Sequence, residues 1–208
     1  DSCIKAEYNV KKKLESSGSG AFGDVFKSRG KKYNYAIKVI NIEKSEDDVG
    51  FFKKANALEN LEKEADITRK MGELGIGPKL FDVYYCEDNG TPKYYFVLEY
   101  MNQGSLDAYL KKANLKKTPA AGVQSIMNKL KKMHEAGYIH KDLHQGNILV
   151  NKRGDKMEYY ISDYGLSQNI KQEEKNNFED ELKSTRNMLE SERWWEDADE
   201  KKRIAYLT

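Results

Sequence analysis

The sequence predicts an α+β chain in two parts. Residues 1–100 form an antiparallel sheet with one helix, and residues 101–208 a small, mainly helical part. Three observations predict this. Short apolar runs broken by turn residues fill much of the first hundred positions, including the pair on either side of Asn89-Gly90. One helical stripe interrupts them between Asn56 and Leu74. After residue 101 the spacing turns helical, most clearly in Val123, Ile126, Met127, Leu130 and Met133.

Composition narrows the function classes. A chain of 208 residues buries a core as one domain or two small lobes. Charged residues make up 34% and nearly cancel at +2, a solvated surface and not a nucleic-acid footprint. No apolar run approaches about 18 residues and no signal-peptide pattern is present, so neither a membrane nor a nucleic acid is an expected partner. Cys3 and Cys86 are too few for a disulfide framework and form no CxxC pair, so a reducing, cytoplasmic compartment is the default expectation. The start, Asp1-Ser2-Cys3, carries no Met and reads as trimmed, and no internal repeat is present.

Taken in order, Gly18-Ser19-Gly20-Ala21-Phe22-Gly23-Asp24-Val25 fits G-x-G-x-x-G-x-V. Glycines let a backbone turn tightly and approach phosphate oxygens. Ser16-Ser17-Gly18-Ser19-Gly20 also reads as a flexible linker, but Leu14 before it and Phe22, Val25 and Phe26 after it suit a strand-turn-strand hairpin. No helical pattern follows, which disfavours a dinucleotide-binding turn. Tyr35-Ala36-Ile37-Lys38-Val39-Ile40 is an apolar strand carrying one lysine. In isolation Lys38 suits a solvent face; after a glycine hairpin it suits a phosphate.

Residues 41–55 are polar and read as a loop or insert, followed by the helix Asn56–Leu74. Glu64 on this helix is a candidate partner for Lys38, with Glu62 as its rival. Gly75, Gly77 and Pro78 stop the helix. Strands Lys79–Cys86 and Tyr94–Tyr100 flank the Asn-Gly turn. Helices follow at Leu106–Lys112, with Ser105 as a candidate cap, and at Ala120–Ala136.

The chemistry concentrates in Tyr138-Ile139-His140-Lys141-Asp142-Leu143-His144-Gln145-Gly146-Asn147-Ile148-Leu149-Val150. This frame reads strand, loop, short strand, turn. Asp142, Asn147 and the later Asp163 offer hard oxygen ligands for a cation such as magnesium and still leave one carboxylate to orient a hydroxyl. That combination serves phosphoryl transfer, which depends on positioning and charge neutralisation. The plainer reading is two hairpins with polar tips. Beyond Gly165 a helix spans Phe178 to about Glu192, and Trp194-Trp195 anchor a last charged helix.

Together these motifs resemble the eukaryotic-type protein kinase superfamily over about residues 14–168, in the right order and spacing. The set comprises the glycine motif, Ala36-Ile37-Lys38, Glu64, Leu98-Glu99-Tyr100-Met101, His140-Lys141-Asp142 with Asn147, and Asp163-Tyr164-Gly165. The resemblance implies a two-lobed fold with ATP and magnesium as cofactors and a protein as substrate. It implies that residues 18–23 cover the ATP phosphates, that Lys38 holds the α- and β-phosphates, and that Glu64 positions Lys38. Asp142 would orient the substrate hydroxyl, and Asn147 and Asp163 would hold the metal. Backbone groups of Glu99 and Met101 would face adenine, Leu98 would guard the back pocket, and Val25, Ala36 and Leu149 would sandwich the ring. With all five catalytic side chains present, the sequence reads as an active enzyme.

Several features depart from the family pattern. His144 stands where serine/threonine kinases usually carry Lys. Asp142-Leu143-His144 with Gly146-Asn147 also resembles aminoglycoside- and choline-type phosphotransferases. Tyr164 and Gly75-Ile76-Gly77-Pro78 resemble vaccinia-related and casein-kinase-like kinases, which favours Ser/Thr acceptors. No Ala-Pro-Glu motif is present, and about a dozen residues separate Gly165 from the next helix. Asp180 or Glu181 on that helix is the candidate acidic brace for the catalytic loop. Without an activation segment, the expectation is a constitutively competent enzyme or one activated by a partner, such as a host protein if the enzyme is a viral or bacterial effector. The alternatives are a small-molecule phosphotransferase and a nucleotide-binding scaffold.

Overall fold

The computed structural model describes residues 3–5, 8–14, 24–30, 34–42, 48–170 and 175–192. Its N-lobe is a five-stranded antiparallel sheet in the order β1-β2-β3-β5-β4. The strands are β1 (Asn9–Leu14), β2 (Asp24–Arg29), β3 (Asn34–Asn41), β4 (Leu80–Asp88) and β5 (Thr91–Glu99). The β4–β5 hairpin closes where the sequence places it. Asn89 and Gly90 both take positive φ, 51° and 73°, the twist a two-residue turn requires.

β5 is buried on both faces, which is why Tyr94-Tyr95-Phe96-Val97 runs apolar without alternation. On one face Tyr94 and Phe96 pack with Ile42, Ala65, Leu58 and Leu61 beneath helix α1 (Asp48–Glu73). On the other, Ile37, Val39, Tyr95 and Val97 pack beneath the N-terminal segment, with Cys3 and Tyr8. A disulfide joins Cys3 to Cys86 on β4, their Cα atoms 5.9 Å apart. The sequence reading set aside a disulfide framework and did not foresee this single bridge, which removes the cysteine argument for a reducing compartment. The pairing is set by where the N-terminal segment packs, 83 positions from its partner.

Helix α1 is a second correction, because residues 48–55, expected as part of a polar loop, continue it toward the N-terminus. The segment is not uniformly polar, since it holds Val49, Phe51 and Phe52, and Lys53, Lys54 and Ala55 are good helix formers.

The C-lobe has helices α2 (Leu106–Lys112), α3 (Ala120–Glu135) and α4 (Lys175–Glu190). It also has a three-stranded sheet of β6 (Gly104–Ser105), β8 (Ile148–Arg153) and β9 (Lys156–Ile161). A two-residue pairing joins β7 (Tyr138–Ile139) to β10 (Gln168–Asn169). The predicted stripe on α3 is buried, with Val123, Ile126 and Met127 packed on Leu106, Leu110, Ile148 and Val150. A further core joins the lobes, setting Met71 and Ile76 against Leu130, Met133, Ile161 and Tyr164. Lys129 and Lys132 on α3 reinforce it by donating to the carbonyls of Gly75 and Leu74 just past α1. Among the described residues, no helix is long and apolar enough to cross a membrane.

Candidate active site

Pleating places the N-lobe half of the site. Lys38 pairs in register with Val25 on β2 and Phe96 on β5, and Ala36 pairs with Leu98. Directly opposed residues share a face, as do positions two apart along a strand. Val25, Ala36, Lys38 and Leu98 therefore lie on the face that α1 covers. Lys38 Nζ donates to Glu64 Oε1 at 2.9 Å and lies 3.5 Å from Asp163 Oδ1. Glu62 is exposed, so Glu64 is the partner. Burial alone lowers the Lys38 pKa, but the carboxylates of Glu64 and Asp163 outweigh it and the pKa rises. The ammonium is thus held charged, bridging the helix and the metal-type loop.

The C-lobe half is built on backbone turned to unusual angles. Lys141 and Asp163 take φ of 69° and 64°, left-handed values that a non-glycine residue holds at a cost. Asn147 Nδ2 donates to the Asp142 carbonyl at 2.9 Å and approaches Asp142 Oδ2 at 3.3 Å. Ser162 N–H donates to the Asn147 carbonyl at 2.8 Å, tying the loop of Asp142 to that of Asp163. Ring Nε2 of buried His140 donates to the Ser162 carbonyl, and its Nδ1 accepts from the Asp142 N–H. Burial keeps the His140 pKa low, outweighing the hydrogen bond to Ser162 and the nearby carboxylates.

Glu181, and not exposed Asp180, is the brace. Its Oε1 accepts from Lys141 N–H at 2.7 Å, and its Oε2 from His140 N–H at 3.2 Å and His134 Nε2 at 2.6 Å. Burial raises the Glu181 pKa, yet these three donors more than offset it and the net shift is downward. Sequence reasoning missed His134. Its signal was a polar residue beside Met133 and four positions after Leu130 on a buried stripe. It also missed that Gly77 and Tyr164 belong together. The Tyr164 hydroxyl donates to the Ile161 carbonyl at 2.6 Å, and a Cβ at Gly77 would lie 2.4 Å from that hydroxyl and 2.7 Å from that carbonyl.

The remaining predicted residues fall as follows. Met101 is buried and its carbonyl accepts from Gly104 N–H. The Glu99 side chain pairs with Arg153 Nη2 at 2.8 Å. Leu149, on β8, stands opposite Ser105 and Tyr160. Gly18, Ser19, Gly20, Ala21, Phe22 and Gly23 lie outside the described residues, as do Trp194 and Trp195. Among the described residues no three His, Cys, Asp or Glu side chains gather as a metal site. The donors that fit magnesium are the Asp163 carboxylate and the Asn147 amide oxygen, since the Asn147 amide nitrogen is engaged by Asp142. Magnesium is commonly held by one or two such groups together with phosphate oxygens.

The protein kinase domain family matches residues 8–195. The chain belongs to this family. Among its curated relatives, myosin light chain kinase A of Dictyostelium discoideum is 34% identical over 176 residues, 81% of this chain and 53% of the relative. CBL-interacting serine/threonine-protein kinase 12 of Arabidopsis thaliana is 31% identical over 167 residues, 79% of this chain and 30% of the relative. Cell division control protein 2 homolog C of Antirrhinum majus is 30% identical over 166 residues, 74% and 51% respectively. The chain thus spans about half or less of the length of these relatives. In this kinase domain, the short β10 and then α4 follow the Asp163 loop, and α4 starts ten positions after Gly165.

Proposed function

We propose that the chain is an ATP-dependent protein kinase that transfers the γ-phosphate to a protein hydroxyl, Ser or Thr in preference to Tyr. The observation that carries this is Lys38 held between Glu64 and Asp163, with Asp163 tied through Ser162 and Asn147 to Asp142. In this reading residues 1–100 and 101–208 are the two lobes, and residues 18–23 cover the phosphates. Lys38 grips the α- and β-phosphates, and Val25, Ala36 and Leu149 enclose the adenine ring. Leu98 guards the back of the site, and backbone groups of Glu99 and Met101 meet the adenine edge. Asn147 and Asp163 hold magnesium, which when bound with ATP neutralises charge on the transferring group. Asp142 orients the acceptor hydroxyl and takes up its proton. The Ser/Thr preference rests on the serine/threonine kinase among the relatives and on the likeness of Tyr164-Gly165 and Gly77-Pro78 to that class.

The short connection to α4 supports a kinase that works without phosphorylation of an activation segment, either by itself or with an activating protein. The test is transfer of labelled phosphate from ATP to a mixed protein substrate with magnesium, beside Asp142→Ala. Transfer to Ser/Thr that falls about a thousandfold in the variant is the expected result, the scale of losing a general base. ATP turnover without labelled protein replaces this reading with a small-molecule acceptor, and nucleotide binding with no turnover replaces it with a scaffold.

A further inference from the structure

We infer that His144 is a positioning residue for Asp142, a ring N–H donor and not a substitute for the lysine usual at its place. This deepens the kinase reading and rests on it. His144 sits in extended backbone just before the single 3-10 turn Gln145–Asn147. Its Nδ1 accepts the Gly146 backbone N–H at 3.1 Å. A nitrogen that accepts a hydrogen bond carries no proton, so the proton of the neutral ring is on Nε2. That atom lies 3.9 Å from Asp142 Oδ2. The distance is long for a hydrogen bond, but such contacts tighten when substrate arrives.

Gly146 makes the placement possible. A Cβ there would lie 2.8 Å from His144 Cε1 and 2.9 Å from Nδ1. Histidine and glycine two positions apart therefore act as one unit, with the glycine giving the ring room and setting its tautomer. Asp142 Oδ2 then lies between two side-chain N–H groups, Asn147 Nδ2 at 3.3 Å and His144 Nε2. Two donors restrict how the carboxylate rotates, so its other oxygen is presented to the acceptor hydroxyl.

Two variants separate the roles. His144→Asn keeps an acceptor for the Gly146 N–H, since Asn is a favoured cap, but is too short to reach Asp142. His144→Lys supplies a cation and loses the cap. We expect kcat to fall about tenfold in His144→Asn, the scale of one hydrogen bond to a charged group, with KM for ATP and the melting temperature unchanged. We expect His144→Lys to fall at least as far. Wild-type kcat in His144→Asn makes the ring only a cap and overturns the proposal. Wild-type or higher kcat in His144→Lys shows that the position wants a cation and also overturns it. Long-range 15N–1H correlation spectra of the whole chain give a readout independent of turnover. The His144 ring, assigned by its loss in His144→Asn, is expected as the Nε2–H tautomer at neutral pH. An Nδ1–H tautomer or an imidazolium overturns the proposal even if the kinase reading fails, which transfer no different from Asp142→Ala would reveal.

Discussion

Glu181, His134, His140, Ser162 and Asn147, around the loop of Asp142, are linked through hydrogen bonds to each other and to backbone N–H and C=O groups. Across the outer face of the N-lobe sheet, Ile37, Val39, Tyr95 and Val97 lie under a segment held by a disulfide. That segment also uses Lys5 and Tyr8 on Asp82, and Lys5 over the Tyr84 ring. The first region is ordered by directional hydrogen bonds among buried polar and backbone groups. The second is ordered mainly by apolar area and one covalent bond, with a few polar contacts at its edge. Chemistry needs atoms held at fixed angles, which hydrogen bonds supply and apolar contact does not. The cap needs only to keep water off a sheet face.

Cutting the covalent bond is the largest test of this contrast. In the loop-entropy picture, Cys86→Ser loses up to about 4 kcal/mol of stability, a fall in melting temperature on the order of 10 °C. Turnover per folded molecule should stay near wild type. An equal loss of turnover at a temperature where the variant is folded would couple the cap to the site and break the comparison.

Glu181→Gln makes the reverse cut. An amide oxygen cannot accept from all three donors, so at least one buried N–H loses its partner, at about 1–3 kcal/mol. Here kcat should fall together with stability, as read by denaturant titration and initial rates on one preparation. Gly77→Ala tests the wall behind Tyr164. Overpacking there costs about 1–3 kcal/mol. Tyr164→Phe in the same chain should return part of that loss, since the Ile161 carbonyl remains 2.7 Å from the new Cβ. A double-mutant cycle showing simple additivity would contradict the contact.

The smallest effect is on pH. His140 has a lowered folded pKa, so the unfolded chain takes up the proton first and stability declines as pH falls below the ordinary value of 6.5. Glu181 is also lowered, so its contribution is present above the ordinary 4.5 and is lost as pH falls through the folded value. Denaturant midpoints should therefore drop from pH 7 to pH 4. Cys86→Ser should retain that slope, and Glu181→Gln should remove the further loss below pH 4.5 that comes from Glu181 itself.

Much of this was legible in the chain itself. The hairpin at Asn89-Gly90, the α3 stripe and the α2 range follow from local rules, namely positive φ at a two-residue turn and apolar spacing at 3.6. Lys38, Glu64, Asp142, Asn147 and Asp163 were legible as an ordered set of motifs, and the structure brings them together from one sheet face, α1 and two loops. The helical reach of residues 48–55 was missed because the charged stretch before them and Gly50 break the pattern, although Val49, Phe51 and Phe52 lie within it.

What the sequence determined by itself was what each segment does locally, because turns, strand alternation and helical stripes depend on neighbours a few positions away. Only the tertiary structure decided the long-range pairings: Cys3 with Cys86, Glu181 in preference to Asp180, Glu64 in preference to Glu62, and Gly77 beneath Tyr164. For Glu181 and Glu64, a neighbouring acidic residue offered the same chemistry. The choice fell to the one whose direction and burial, set by packing between distant elements, brought it within bonding distance.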